Sequence, residues 1–268
     1  MTQSRLTLPD RTAFERDGFA RLSGPAIADL KVALTAPMLD LAKRAAERLL
    51  PAELVAAAPT DASLADYIAF LNSVEQDNAV TRALYETLPT LPGVIATIDH
   101  PALRAAATWA GIDHAQAGTL PLVRLDRPGE TRFATPAHQD SWYSMLSPNA
   151  VTLWLPLCEM TDEIGLLHVI PGSQTGHEWF ETAKSIPDSD FQPVAMTDDD
   201  VLIFNQSLIH KSGANRSDQV RISVQFRYND LATAERLTST YTPSLSRHVL
   251  DKQADHLNAR RQNRSPVA

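Results

Sequence analysis

The stretch VRISVQFRY, residues 220–228, alternates two kinds of side chain along its length. Its even positions are apolar or aromatic, and its odd positions are Arg221, Ser223, Gln225 and Arg227. Because successive side chains of a β-strand point to opposite faces, the pattern predicts a strand with one apolar and one polar face. The polar face has two interpretations. It is either a solvated sheet surface, which is the commoner case in antiparallel sheets, or the polar interior of a barrel.

Several short runs of the same kind precede this stretch and are separated by turn clusters such as DRPGE, PGSQTG and SGANRSD. They are TLPLVRL (119–125), AHQDSWY (137–143), AVTLWLPL (150–157), LLHVI (166–170) and DVLIF (200–204). Most of them have no helix-length segment between them, which favours an antiparallel sandwich or barrel over a parallel sheet.

Residues 25–110 have a different periodicity, with apolar side chains three and four positions apart, as in Ile27, Leu30 and Leu34. Prolines at 25, 51, 89, 92 and 101 divide this part into four or five predicted helices, and Pro37 predicts a kink or break in the first. We therefore expect a mainly β, α+β fold with helices covering one sheet. The predicted organisation is a single domain, with helical support over 1–117, the β core over 118–230 and a C-terminal segment over 231–268.

Composition narrows the class of partner. The chain carries 24 Lys and Arg against 32 Asp and Glu, a formal charge of −8, so nucleic acid and anionic membranes are poor partners and a small molecule is a better one. The single cysteine, Cys158, excludes an intrachain disulfide. No signal-peptide core or long apolar run is present, so we expect a cytoplasmic protein.

Three residues have the composition of a metal site. His138 and Asp140 stand two positions apart on a predicted strand and would project from the same face. His210, where a later predicted strand ends, supplies the third candidate ligand. Two imidazoles and one carboxylate form the facial triad of non-haem Fe(II) oxygenases, but the same ligands also hold zinc.

Arg221 follows His210 by eleven residues across a predicted turn. An antiparallel hairpin would bring its side chain back beside the strand of His210, on the polar face. A guanidinium there offers planar, bidentate recognition of a carboxylate, which suits a dicarboxylate that binds the metal through its other end.

Taken together, AHQD, VTLWLPLCEMTDEIGLLHVIPGSQTG and DDDVLIFNQSLIHKSGANRSDQVRISVQFRY resemble the phytanoyl-CoA dioxygenase family of Fe(II)- and 2-oxoglutarate-dependent oxygenases. The resemblance is strong over about 120–230 and weak at FERDGFARL (14–22). It implies a double-stranded β-helix core, also called a jelly roll or cupin-like barrel, with N-terminal helices packed on one sheet. The implied cofactors are Fe(II), 2-oxoglutarate and O₂, and the implied products include succinate and CO₂.

The resemblance also assigns roles to individual residues. It implies that His138, Asp140 and His210 bind the iron, and that Arg221, assisted by Ser212, binds the far carboxylate of 2-oxoglutarate. Thr152 and Trp154 share one side of their predicted strand and are candidates for lining the same cavity. The carboxylate of Asp140 favours hydroxylation, since related halogenases have a small residue at that position.

The sequence identifies the substrate only by class, as a small molecule. Its candidate contacts are Trp142, Tyr143, Arg124, Arg127 and Gln225. Two other functions remain open. One is a cupin-like metal-dependent hydrolase or isomerase using zinc or manganese, and the other is a non-catalytic small-molecule binding module.

Overall fold

A computed structural model describes residues 5–75, 79–130, 135–141, 147–175, 186–197 and 199–233. Its helical part lies almost wholly before residue 110. The seven α-helices described are α1 (Arg11–Asp17), α2 (Pro25–Leu49), α3 (Ala52–Ala56), α4 (Leu64–Val74), α5 (Ala79–Thr87), α6 (Pro92–Ala96) and α7 (Pro101–Trp109). As the sequence predicts, α2, α6 and α7 each begin at a proline, whose missing N–H is not needed in the first helical turn.

The described strands form two antiparallel sheets. They are β1 (Phe19–Leu22), β2 (Ala115–Ala117), β3 (Leu122–Asp126), β4 (Ala150–Pro156), β5 (Leu167–Val169), β6 (Gln192–Pro193), β7 (Val201–Asn205), β8 (His210–Ser212) and β9 (Arg221–Asp230). The larger sheet has the order β1-β7-β4-β9-β2, with β3 also paired to β9, and the smaller sheet has the order β6-β5-β8. Mixed α+β architecture with antiparallel sheets is thereby confirmed.

The alternation along β9 separates two environments. Ile222, Val224 and Phe226 pack in one buried cluster with side chains of the helices, including Leu30 and Leu34 of α2. On the opposite face of the larger sheet, a second buried cluster joins Trp154, Leu202 and Phe204 to Leu167 and Val169 of the smaller sheet. The helices therefore cover one face of the larger sheet, and the smaller sheet covers the other.

The polar positions of β9 lie on this second, interior face. Arg221 is 4% exposed and Ser223 is 1% exposed, while Gln225 and Arg227 are half-buried. This decides between the two interpretations of the strand: its polar face is interior and is not a solvated surface. Charged and hydroxylated side chains at these depths need partners or ligands, because burying an unpaired polar group is unfavourable.

The predicted break at Pro37 and the predicted strand at 137–143 are wrong. Helix α2 continues through Pro37 without a break, and its side chains Leu30, Leu34 and Met38 on either side are fully buried. Packing of this kind compensates for the hydrogen bond that a proline removes. The predicted strand at 137–143 is also absent from its described part, where His138 makes only an isolated bridge to His210 and Asp140 lies in a turn.

No helix in the described ranges combines the length and the apolar character needed to cross a membrane.

Candidate metal centre

His138, Asp140 and His210 converge on one point. One potential ligand atom from each residue lies within 4.8 Å of the other two, and all three side chains are buried. His138 Nε2 lies 3.5 Å from Asp140 Oδ1, and the two imidazole centroids are 4.2 Å apart. The three residues that the sequence analysis selected as ligands therefore form one cluster.

Backbone pairing places the two histidines side by side. The amide of His138 donates to the carbonyl of His210 at 3.0 Å, and the amide of His210 donates back to the carbonyl of His138 at the same distance. This reciprocal bridge, rather than a continuous strand, attaches the segment containing His138 and Asp140 to the first residue of β8.

Both imidazoles are oriented in the same way. Nδ1 of His138 lies 2.8 Å from the carbonyl oxygen of Pro136, and Nδ1 of His210 lies 3.0 Å from that of Leu208. A carbonyl can only accept, so each Nδ1 carries the proton in these hydrogen bonds. Each Nε2 is then left with the lone pair that a metal ion requires.

The protonation states suit metal binding. Burial, followed by the electrostatic influence of neighbouring His138, lowers the pKa of His210 to about 3, which keeps its imidazole neutral. Burial alone would raise the pKa of Asp140, but Arg227 and the two histidines outweigh it and hold that pKa well below the usual range. At neutral pH the centre therefore offers the neutral imidazole of His210 and the ionised carboxylate of Asp140.

Asp140 is held through both oxygens. The hydroxyl of Thr152 donates to Oδ2 at 2.6 Å, and Nη2 of Arg227 donates to Oδ1 at 3.0 Å. Thr152 and Arg227 are directly opposite each other in the register of β4 and β9. Thr152 was among the predicted cavity residues, whereas the contact of Arg227 with Asp140 was missed. The inward parity of Arg227 on β9 was the available signal.

Arg221 lies deeper along the same face and has several protein partners. Its Nη2 and Nε donate to Oδ2 of Asp126 at 2.9 and 3.2 Å, and its Nη1 donates to the carbonyls of Gly165 and Gly213. Arg124 binds the other oxygen, with Nη2 2.7 Å from Oδ1 of Asp126. Two buried guanidinium groups therefore share one buried carboxylate, which the sequence analysis missed.

The predicted hairpin between His210 and Arg221 is wrong. Strand β8 pairs with β5 in the smaller sheet, whereas β9 pairs with β2, β3 and β4 in the larger one. Arg221 nevertheless reaches the backbone just beyond β8, because its Nη1 lies 2.9 Å from the carbonyl oxygen of Gly213. The connection between β8 and β9 thus crosses from the smaller sheet to the larger one.

The described residues near Arg221 include polar groups without a protein partner. Ser223, opposite Arg124 in the register of β3 and β9, has a buried Oγ with no hydrogen bond. The amide of Ser212 donates to the carbonyl of Thr135, whose hydroxyl accepts from Arg124 at 2.7 Å. A buried hydroxyl aimed at no protein atom, next to two arginines, fits an anionic ligand bound between Arg221 and the metal centre.

The other predicted residues have different locations. Trp154 is opposite Gln225 in the register and is buried, and the Gln225 side-chain oxygen accepts from Arg227 at 2.9 Å. Arg127 instead lies near Glu75 at the end of α4, with 3.9 Å between Nη2 and the carboxylate. Trp142 and Tyr143 lie outside the described residues.

Solved structures resemble this fold at low sequence identity. The crystal structure of EctD from S. alaskensis with bound Fe has a TM-score of 0.53 and 18% identity, covering 87% of this chain and 80% of that one. The non-heme alpha ketoglutarate dependent carbocyclase SnoK, from nogalamycin biosynthesis, has a TM-score of 0.51 and 16% identity, covering 89% and 93%. At these identities the likeness establishes the fold.

A sequence relative and a family profile add to this. Dioxygenase lolE1 of Epichloe uncinata is 30% identical over 98 residues, which are 32% of this chain and 36% of lolE1, so the match spans about a third of that relative. The profile described as phytanoyl-CoA dioxygenase matches residues 14–223, which include His138, Asp140, His210 and Arg221. The chain belongs to the phytanoyl-CoA dioxygenase family.

Proposed function

We propose that this protein is an Fe(II)- and 2-oxoglutarate-dependent dioxygenase that hydroxylates an unactivated C–H bond of a small molecule, releasing succinate and CO₂. The observation that carries the proposal is the buried cluster of His138, Asp140 and His210, in which Nδ1 of each histidine faces a backbone carbonyl. Two histidines and one carboxylate leave further coordination positions for cosubstrate and O₂. Bound iron would supply the oxidative chemistry, and the protein supplies orientation and exclusion of water.

The positions of the arginines on the interior face of the larger sheet support one orientation of bound 2-oxoglutarate. Arg227 contacts a ligand of the metal, whereas Arg221 is six residues away on the same strand, roughly 20 Å between α-carbons at about 3.3 Å per residue. Arg124 and Ser223 lie between these two levels. The proposal places the far carboxylate at this inner end.

Charge supports that placement. Two guanidinium groups, those of Arg124 and Arg221, contact the one carboxylate of Asp126 at this end of the site. The far carboxylate of 2-oxoglutarate would supply a second negative charge there. We therefore assign Arg221, Ser212 and Arg124 to the far carboxylate, with Thr152 and Trp154 beside the cosubstrate. A metal-dependent hydrolase or isomerase would not need this pair of buried arginines. We also infer that the two sheets form the double-stranded β-helix of cupin-like proteins.

Anaerobic absorption spectroscopy tests the metal and the cosubstrate together. Adding Fe(II) and 2-oxoglutarate to the protein should produce a charge-transfer band that neither produces alone. His138→Ala should abolish the band by removing a ligand, whereas His114→Ala, at an exposed position, should retain it. Absence of the band in folded wild-type protein would refute the proposal.

A second comparison separates the cosubstrate from the iron. Arg221→Ala should weaken 2-oxoglutarate binding much more than Fe(II) binding, since Arg221 lies far from the metal ligands along β9. Arg216→Ala, at an exposed arginine, is the matched control. Equal loss of both ligands in Arg221→Ala would indicate disruption of the fold instead of a cosubstrate contact.

A further inference from the structure

Two side chains near the cluster of His138, Asp140 and His210 have buried polar atoms that lack a hydrogen-bond partner. Gln206 is 1% exposed, and neither its side-chain oxygen nor its side-chain nitrogen has a hydrogen-bond partner. Nε of Arg227 is likewise buried without a partner. Buried polar groups in proteins are nearly always paired, so both side chains have capacity for a ligand.

Gln206 lies beside the metal centre through its backbone. Its amide donates to the carbonyl of Ala150, and its carbonyl accepts from the amide of Ser141, the residue after Asp140. The first bond extends the pairing of β4 and β7 by one residue and places Gln206 on the face of Phe204. The ring of Phe204 is 4.6 Å from that of His210.

This position is on the opposite side of the metal from Arg221. Gln206 extends β7 beyond the level of Phe204 and Thr152, toward the end of the sheet where β9 finishes, whereas Arg221 begins β9. The proposed cosubstrate occupies the Arg221 side. Gln206 and the unpaired Nε of Arg227 are thus available to the substrate.

The charges near the metal do not cancel once its proposed ligands are bound. Asp140 and Arg227 neutralise each other, and the proposal places the far carboxylate of 2-oxoglutarate away from the metal, beside Arg124, Arg221 and Asp126. Fe(II) brings two positive charges and the near carboxylate brings one negative charge. One positive charge therefore remains at the metal end of the cavity, counting the described side chains.

We propose that the substrate is an anion, and that a carboxylate on it is recognised by Nε of Arg227 and the side-chain amide nitrogen of Gln206. The inference rests on the proposed function and names the substrate class for that site. Arg227 keeps its Nη2 contacts with Asp140 and Gln225 while Nε donates to the substrate, so one guanidinium orients both the metal ligand and the substrate. The anion supplies the charge that the metal end lacks.

Matched acids and amides test this directly. The anaerobic protein with Fe(II) and 2-oxoglutarate is titrated with phenylacetate and hexanoate, and separately with phenylacetamide and hexanamide, while the absorption band is followed. Each acid should shift the band and bind at least about tenfold more tightly than its amide, because a hydrogen bond to a charged group is the stronger one.

The variant Gln206→Glu places a negative charge where the carboxylate would lie. It should reduce acid affinity by about tenfold or more and change amide affinity little, because only the acids are repelled. Gln192→Glu makes the same change at an exposed position on β6 and should leave both affinities unchanged. Formation of the band in each variant reports that iron and cosubstrate still bind.

The outcomes separate the two proposals. No band in the wild-type protein refutes the oxygenase function itself. A band with acids that bind no better than amides, or with no acid binding, overturns the anionic substrate and leaves the oxygenase standing. Loss of the band on adding acid shows displacement of 2-oxoglutarate and also overturns it. The wild-type comparison decides even if Gln206→Glu fails to fold.

Discussion

Thr152 donates its hydroxyl to Oδ2 of Asp140 at 2.6 Å, within a fully buried environment. This hydrogen bond orients the Asp140 carboxylate toward His138 and His210, although Thr152 is not itself a candidate metal ligand. Groups that orient metal ligands typically alter metal affinity by 10- to 100-fold when they are removed.

Thr152→Val should therefore weaken Fe(II) binding by about tenfold or more, because it keeps the side-chain shape and removes the hydrogen bond. Equilibrium titration of anaerobic protein with Fe(II) measures the change. Thr87→Val removes a hydroxyl bonded to a helix carbonyl at an exposed site and should not affect Fe(II). Unchanged affinity in Thr152→Val would show that this hydroxyl is not needed to position Asp140.

Asp126→Asn should destabilise the fold by about 3–5 kcal/mol, because Arg124 and Arg221 would lose their shared buried countercharge. Urea unfolding followed by circular dichroism measures it. Asp99→Asn breaks an exposed ion pair with Arg104 and should have little effect. Similar unfolding free energies in the two variants would show that water or another group compensates the two arginines.

Gly165→Ala should weaken 2-oxoglutarate more than iron. A Cβ at Gly165 would lie 2.6 and 2.7 Å from the carbonyl oxygens of Ala214 and Gly213 and 2.8 Å from Nη1 of Arg221, so the guanidinium and this backbone must shift. Gly129→Ala introduces the same side chain at another positive φ, where nothing lies within 4 Å. Calorimetric titration with 2-oxoglutarate measures the affinity of each variant. Equal losses of affinity in the two variants would assign the effect to backbone strain alone.

The stability of the metal-free protein should fall as the pH is lowered from about 7 toward 5. The pKa of His210 falls from 6.5 to about 3 on folding, so below pH 6.5 the unfolded chain binds a proton that the folded chain does not. Stability therefore rises with pH across this window. Urea midpoints at several pH values should show a smaller slope for His210→Gln and the wild-type slope for the exposed His114→Gln. An unchanged slope in His210→Gln would contradict this assignment.

Local sequence patterns predicted the parts of the fold that depend on local chemistry. Alternation in β9 separated its polar face from its apolar face without deciding which was interior, and prolines marked the starts of α2, α6 and α7. The cluster of His138, Asp140 and His210 was predictable because few residue types bind metal ions. Parity placed Arg221 on the polar face, whereas the hairpin expected to bring it beside β8 did not form.

Features that depend on distant pairing were missed. Strand β1 forms only because Phe19–Leu22 pair with Val201–Phe204, far away in sequence. The contact between Asp126 and Arg221 depends on the register of β3 and β9. The position of Gln206 depends on the extension of β7 beside β4. The strand predicted at 137–143 was wrong for a similar reason. His138 and His210 are brought together by a long-range bridge, and not by the local alternation on which the prediction depended.

A metal ion bound at this bridge would link two segments of the chain in addition to taking part in catalysis. His138 and His210 exchange two backbone hydrogen bonds, and the amides of Ser212 and Ser141 add bonds to the carbonyls of Thr135 and Gln206 between the same two segments. A metal bound by both imidazoles would link these segments further. Part of the metal-binding free energy would then stabilise the contact between these two segments. Their local stability would therefore depend on the concentration of free iron. Hydrogen exchange at the amides of His138 and His210 would slow when iron binds. Loss of the metal would therefore open this bridge before the helix-covered face of the larger sheet.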